Sequence, residues 1–167
     1  MASIDTAGAD LSRLTLRQAL QYAISLEQDA RDQYLALARS MKEYGESEAG
    51  EFFWRMAHLE EGHRVALETR RKAVVVAGED DGSPSEGAPL HLHAWEGPLT
   101  DEAAMGLTLR AAIELSLAAE GRAHEFFVSA LASIYDAEVH RLFLGLAEEE
   151  LVHQAMLRKE LEELVTL

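Results

Sequence analysis

Apolar residues recur along four stretches of this chain at steps of three and four, the spacing that turns one face of a helix toward a core. The first stretch carries Leu20, Ala23, Ala30, Tyr34, Leu37 and Met41, and the second carries Phe53, Met56 and Leu67. The third carries Ile113, Ala123, Phe127, Ala130 and Ile134, and the fourth carries Phe143, Leu146 and Leu157. All four are rich in Ala, Leu, Glu and Arg, strong helix formers. Thr15 and Gln18 have capping-box spacing, so a first helix is predicted from Thr15 to about Tyr44, stopped by Gly45. A second is predicted over about Ser47 to Lys72, and a fourth over about Ala137 to Leu164. The third starts at Thr108 at the latest, or already at Asp101, and ends around Ser133. The short joins at 45–46 and 134–136 make two antiparallel hairpins.

Between the hairpins the pattern stops. All three prolines (Pro84, Pro89 and Pro98) and the run Glu79-Asp80-Asp81-Gly82-Ser83-Pro84 fall there, which a helix does not cross easily. The chain divides into an N-terminal tail, residues 1–14, and one helical domain, residues 15–167, with a connector over about 73–107. The hairpins are related to each other. Leu16-Arg17, Glu27 and Ala30 recur 93 positions on as Leu109-Arg110, Glu120 and Ala123. Phe53, Ala57, Glu60, His63 and Leu67 recur 90 positions on as Phe143, Ala147, Glu150, His153 and Leu157. The fold class expected is all-α, a four-helix bundle of two hairpins, with a connector long enough to cross the bundle's length.

Charges interrupt the apolar stripes at matched places. Glu27 and Glu120 sit in the middle of the first and third stripes, and Glu60-x-x-His63 and Glu150-x-x-His153 in the second and fourth. Residues three apart on a helix differ by about 60° in direction and about 4.5 Å in height, so each Glu–His pair can reach one ion or two adjacent ions. A buried unpaired carboxylate costs several kcal/mol, and no lysine or arginine stands in the stripes to neutralise these four. Two divalent ions would cancel four negative charges, with neutral imidazoles completing the coordination. One Glu from each of two helices plus Glu-x-x-His from the other two is the di-iron or di-manganese carboxylate arrangement.

Composition narrows the function classes. Thirty acidic against fifteen basic residues give a formal net charge of −15, which argues against binding nucleic acid or an anionic membrane surface. No apolar run reaches the roughly 18 residues of a membrane span, and the first residues do not have the build of a signal peptide, so a cytoplasmic location is expected. The chain has no cysteine, which excludes disulfides, thiolate zinc sites, iron–sulfur clusters and a cysteine nucleophile.

On these motifs the sequence resembles the rubrerythrin and ferritin-like superfamily, over roughly Thr15–Lys72 and Thr108–Leu164. The stretches that carry the likeness are Glu27 to Tyr34, Glu60-Glu-Gly-His63, Glu120 to Phe127 and Glu150-Leu-Val-His153. The resemblance implies a ferritin-like bundle holding two iron ions, with manganese or zinc as alternatives. Glu60 and Glu150 would bridge the ions, Glu27 and Glu120 would be terminal ligands, and His63 and His153 would bind one ion each. Tyr34 matches a tyrosine that rubrerythrins place beside the metals; as a residue of the stripe it is equally a core aromatic. The implied activity is reduction of peroxide or dioxygen in oxidative stress. It would draw electrons from an external donor protein, in a homo-oligomer such as a dimer.

Two departures qualify that activity. Rubrerythrins carry a second helix-three glutamate where this chain has Ala123, and many continue into a rubredoxin domain, which the lack of cysteine rules out here. Glu61 stands where bacterioferritins carry a haem-binding methionine, so no haem is expected. An iron-handling ferroxidase and a non-catalytic helical interaction protein are the alternatives. His124 lies about 40° round from Glu120 and could face the site or solvent. His91, His93 and Trp95 alternate in the connector and read as loop. Gly62 and Gly121 suggest close helix packing or a local π-bulge near the site, Glu148 and Glu149 read as solvated neighbours of Glu150, and Phe52 and Trp54 flank Phe53 and are expected to point sideways.

Overall fold

The computed structural model describes residues 11–76 and 107–164. A short 3-10 turn at Leu11–Arg13 leads into α1 (Leu16–Glu43), followed by α2 (Ser47–Val76), α3 (Leu109–Leu131) and α4 (Ala137–Glu163). Each start that polar side chains cap satisfies backbone N–H groups the helix itself cannot, an effect of about 1 kcal/mol each. The Thr15 side chain accepts from the Gln18 N–H at 3.3 Å while Gln18 Oε1 accepts from the Thr15 N–H at 3.0 Å, completing the capping box. Thr108 accepts from the Ala111 N–H, and Asp136 from the N–H groups of Glu138 and Val139. Gly45 closes α1 at φ 83°, where a side chain would be strained.

Two apolar clusters hold the ends of the bundle. One joins Leu20 and Ala23 of α1, Leu67 and Val74 of α2, Phe126 and Phe127 of α3, and Val139 and Phe143 of α4. The other joins Leu37 and Met41 of α1, Phe53 and Met56 of α2, Ala112 and Ile113 of α3, and Leu157 of α4. Thus α1 and α4 run from the first end to the second, and α2 and α3 run back. Because α2 finishes at the first end while α3 begins at the second, the hairpins are related by a crossover, as expected of a ferritin-like bundle. Phe127 meets Phe143 edge-on at 5.3 Å; burying each such side chain contributes about 1.5–3 kcal/mol. Glu27, Glu60, Glu120 and Glu150 lie at mid-height between the clusters.

Some expectations need correction. Helix α2 continues past Lys72 to Val76 because nothing in Ala73-Val74 breaks it and Val74 packs into the first cluster. Phe52 does not point sideways: it is buried, 5.3 Å from Phe53, since the core-facing arc of α2 is wide enough for both. Trp54 does lie outward, stacked on His58 at 4.9 Å. A Cβ added at Gly62 or Gly121 would meet nothing within 4 Å, so close helix packing does not account for either glycine and nothing in the structure does. The close approach is instead at Gly50, where a Cβ would come within 2.5 Å of the Lys42 side chain. No described helix is long and apolar enough to cross a membrane. Pro84, Pro89, Pro98, His91, His93, Trp95 and residues 1–10 fall outside the described residues.

Candidate metal centre

Each helix brings its mid-length polar residues to one place. Glu27 comes from α1, Glu60 and His63 from α2, Glu120 from α3, and Glu150 and His153 from α4. Glu60 lies between the two histidines, with Oε1 3.2 Å from Nδ1 of His153 and Oε2 3.7 Å from Nδ1 of His63. His153 Nδ1 is also 3.5 Å from Glu120 and 3.7 Å from Glu150, and His63 Nδ1 is 3.6 Å from Glu27. The imidazole rings lie nearly parallel, their centres 5.3 Å apart. Tyr34 is fully buried, stacks on Phe53 and donates its hydroxyl hydrogen to Glu120 Oε1. It is both a core aromatic and a neighbour of the cluster.

The repeat is symmetrical in sequence but not in burial. The His153 side chain is 4 % exposed and that of His63 is 27 % exposed. One residue that the sequence did not single out also arrives: Glu149, with Oε2 3.9 Å from Nδ1 of His63. It is therefore more than a solvated neighbour of Glu150. Positions 149, 150 and 153 span an arc of only about 100° on a helix, which was the available signal. His124 joins no metal-capable group among the described residues. Glu61 is drawn away from the cluster by Arg31 and Arg64, at 2.9 and 2.8 Å. Their guanidinium hydrogen bonds, Arg64 before Arg31, hold its carboxyl down at about 2.

The electrostatics are those of buried carboxylates with no lysine or arginine among them. Burial pushes the Glu60 carboxyl well above the ordinary carboxylate range, with His153 opposing and Glu120 and Glu27 reinforcing it. Burial does the same to Glu150, helped by its hydrogen bond with Glu120 and by that residue's charge. Burial alone would raise Glu120 too, but its contacts with Glu150, His153 and Tyr34 outweigh it and lower the carboxyl. For His153, burial favours the neutral ring, yet Glu120 and Glu60 raise it to about 9. His63 is raised chiefly by Glu27.

The donor set fits metal ions. Glu60 Oε1, Glu150 Oε2 and the Nδ1 atoms of both histidines are shielded from solvent and have no hydrogen-bond partner, although buried polar atoms are nearly always satisfied. Three groups of donors each gather within 4.8 Å: Glu60, His63 and His153; Glu120, Glu150 and His153; and Glu27, His63 and Glu149. Metal bonds of about 2.0–2.2 Å to nitrogen or oxygen place opposite donors up to about 4.4 Å apart, so small inward movements would close any of the three on an ion.

Comparison with known proteins agrees with this architecture. The family model described as rubrerythrin matches residues 18–161. Among solved structures, an uncharacterised conserved protein from Magnetospirillum magnetotacticum MS-1 is 26% identical, with a TM-score of 0.70 over 90% of this chain and 95% of that one. A hypothetical protein from Pyrococcus furiosus shares the fold at 24% identity, with a TM-score of 0.56 over 95% of this chain and 98% of the other. No curated protein matches.

Proposed function

The chain belongs to the rubrerythrin family, and from that premise we propose that it is a dimetal oxidoreductase, using two iron ions to reduce peroxide or dioxygen. The observation that carries this reading is the placement of Glu60. Its two carboxylate oxygens face two different imidazole nitrogens, and the nitrogens, like Oε1, are buried without partners. Glu60 and Glu150 would bridge the ions. Glu27 and His63 would complete one coordination sphere, and Glu120 and His153 the other. Bound iron would supply the electrons, one from each ion, with manganese as the other metal suited to nitrogen and oxygen donors.

The protein's own groups set the conditions for that chemistry. Tyr34, whose hydroxyl burial holds well above its ordinary pKa, stays a hydrogen-bond donor and fixes the orientation of Glu120. The apolar clusters above and below exclude bulk water, which strengthens every charge interaction between them. The more exposed His63 side gives a small oxidant and its protons a way in. These residues contain no cysteine and so no thiolate electron-transfer centre, and the reducing equivalents are drawn from outside them.

Stopped-flow mixing of the anaerobic di-ferrous protein with hydrogen peroxide, and separately with dioxygen, tests the reading. Rapid oxidation by at least one, abolished in Glu60→Ala, is expected. The absence of metal-dependent reaction with either would sink it, and uptake far beyond two irons per chain would replace it with iron handling.

A further inference from the structure

The two halves of the cluster differ in a way the internal repeat does not foreshadow. On the His153 side the donors are closed in, and side-chain exposure is 4 % for His153 and 12 % for Glu150. On the His63 side the exposure is 27 % for His63 and 46 % for Glu149. Glu149 is nevertheless not a free surface carboxylate. Its Oε2 lies 3.9 Å from His63 Nδ1 and gathers with Glu27 and His63 within 4.8 Å. The same Nδ1 has no hydrogen-bond partner, and Glu60, 2 % exposed with an orphaned Oε1, aims its other oxygen at it. An unpartnered nitrogen faced by three carboxylates, one of them reaching solvent, is a cation position with an open side.

We propose that Glu149 is a seventh side-chain ligand, which takes a divalent cation from solvent and holds it at the Glu27–His63 position. The two metal positions are then unequal: an enclosed one at Glu120, Glu150 and His153, and an exchangeable one that Glu149 covers. This rests on the dimetal reading above and adds to it which ion enters last and leaves first. Glu148, the exposed neighbour on α4, carries the same charge and faces away, so it separates ligation from a general negative field.

The test is anaerobic calorimetric titration with cobalt(II), paired with anomalous diffraction at sub-saturating cobalt to give the occupancy of each position. In the wild type, two ions per chain bind in two steps. Glu149→Ala, and Glu149→Gln with its nearly unchanged size, should weaken one step by about tenfold or more and empty the Glu27–His63 position selectively. Glu148→Ala should leave both steps unchanged. Unaltered titration in both Glu149 variants, or equal weakening in Glu148→Ala, overturns the proposal while leaving the dimetal reading intact. A wild type that binds no cobalt at the cluster defeats both.

Discussion

Replacing Glu60 by leucine should stabilise the metal-free protein and destabilise the metal-loaded one, reversing their order. Glu60 is 2 % exposed, its Oε1 has no partner, and burial holds its carboxyl well above the usual range. In the metal-free chain burial therefore favours its neutral form, although it lies between His153 and His63. An unsatisfied buried polar group costs about 1–3 kcal/mol, which leucine would remove. Leucine fills similar space, and His153 keeps Glu120 as its neighbour at 3.5 Å. At about 2–4 °C per kcal/mol for a chain of this size, the metal-free variant should melt about 2–12 °C above the wild type. Loading acts the other way. An ion at a hundred times its Kd adds about 2.7 kcal/mol, so two add about 5 kcal/mol, most of which vanishes with the carboxylate that both ions share. Calorimetric melting with chelator and with excess manganese(II), on both proteins, measures all four states. A Glu60→Leu protein that melts below the wild type in chelator would refute the reasoning, because the carboxyl would then be part of the apo fold's own bonding.

The pH dependence of the metal-free protein follows from the same shifts. Raised carboxyls at Glu60 and Glu150 contribute stability that is complete below the unfolded value of about 4.3 and is lost as pH climbs through their folded values. His153, raised to about 9, adds stability that is complete below about 6.5 and gone above about 9. Each proton involved is worth about 1.4 kcal/mol per pH unit, so urea-unfolding stability in chelator should fall between about pH 5 and 9; a flat or rising profile contradicts this. Metal binding needs these ligands deprotonated, so the gap between loaded and metal-free stability should widen over the same range. Tyr34→Phe removes the hydroxyl donor from buried Glu120 and should cost about 1–3 kcal/mol by urea unfolding, without preventing occupation of both metal positions. A loss under about 0.5 kcal/mol, the scatter of surface substitutions, would mean that this hydrogen bond carries no weight.

Much of the architecture was legible because two independent periodicities agreed. Steps of three and four placed four helices, and the internal repeat paired Glu27 with Glu120 and Glu60–His63 with Glu150–His153. The charges stood out because they broke stripes that were otherwise apolar, which is why the six residues could be named before any geometry. What the pattern could not convey was anything that depends on how far each face turns from solvent. The repeat treats His63 and His153 alike, yet packing leaves the first partly open and closes the second. Glu148, Glu149 and Glu150 are chemically identical, and only their angular positions on α4 against the neighbouring helices separate a solvated glutamate from two that reach the cluster. Phe52 was misjudged for the same reason: adjacent residues differ by 100°, and a wide core face accepts both it and Phe53. The glycines at 62 and 121 suggested close packing that the open space around them does not support.

The central claim is that these carboxylates and imidazoles exist to hold two metal ions. Elemental analysis of anaerobically purified protein, combined with anomalous diffraction on both sides of the iron edge, tests it most directly. The account predicts two iron peaks per chain, one bounded by Glu27, Glu60 and His63 and the other by Glu120, Glu150 and His153. A protein purified and reconstituted with iron or manganese that still shows no peak between those side chains would contradict it.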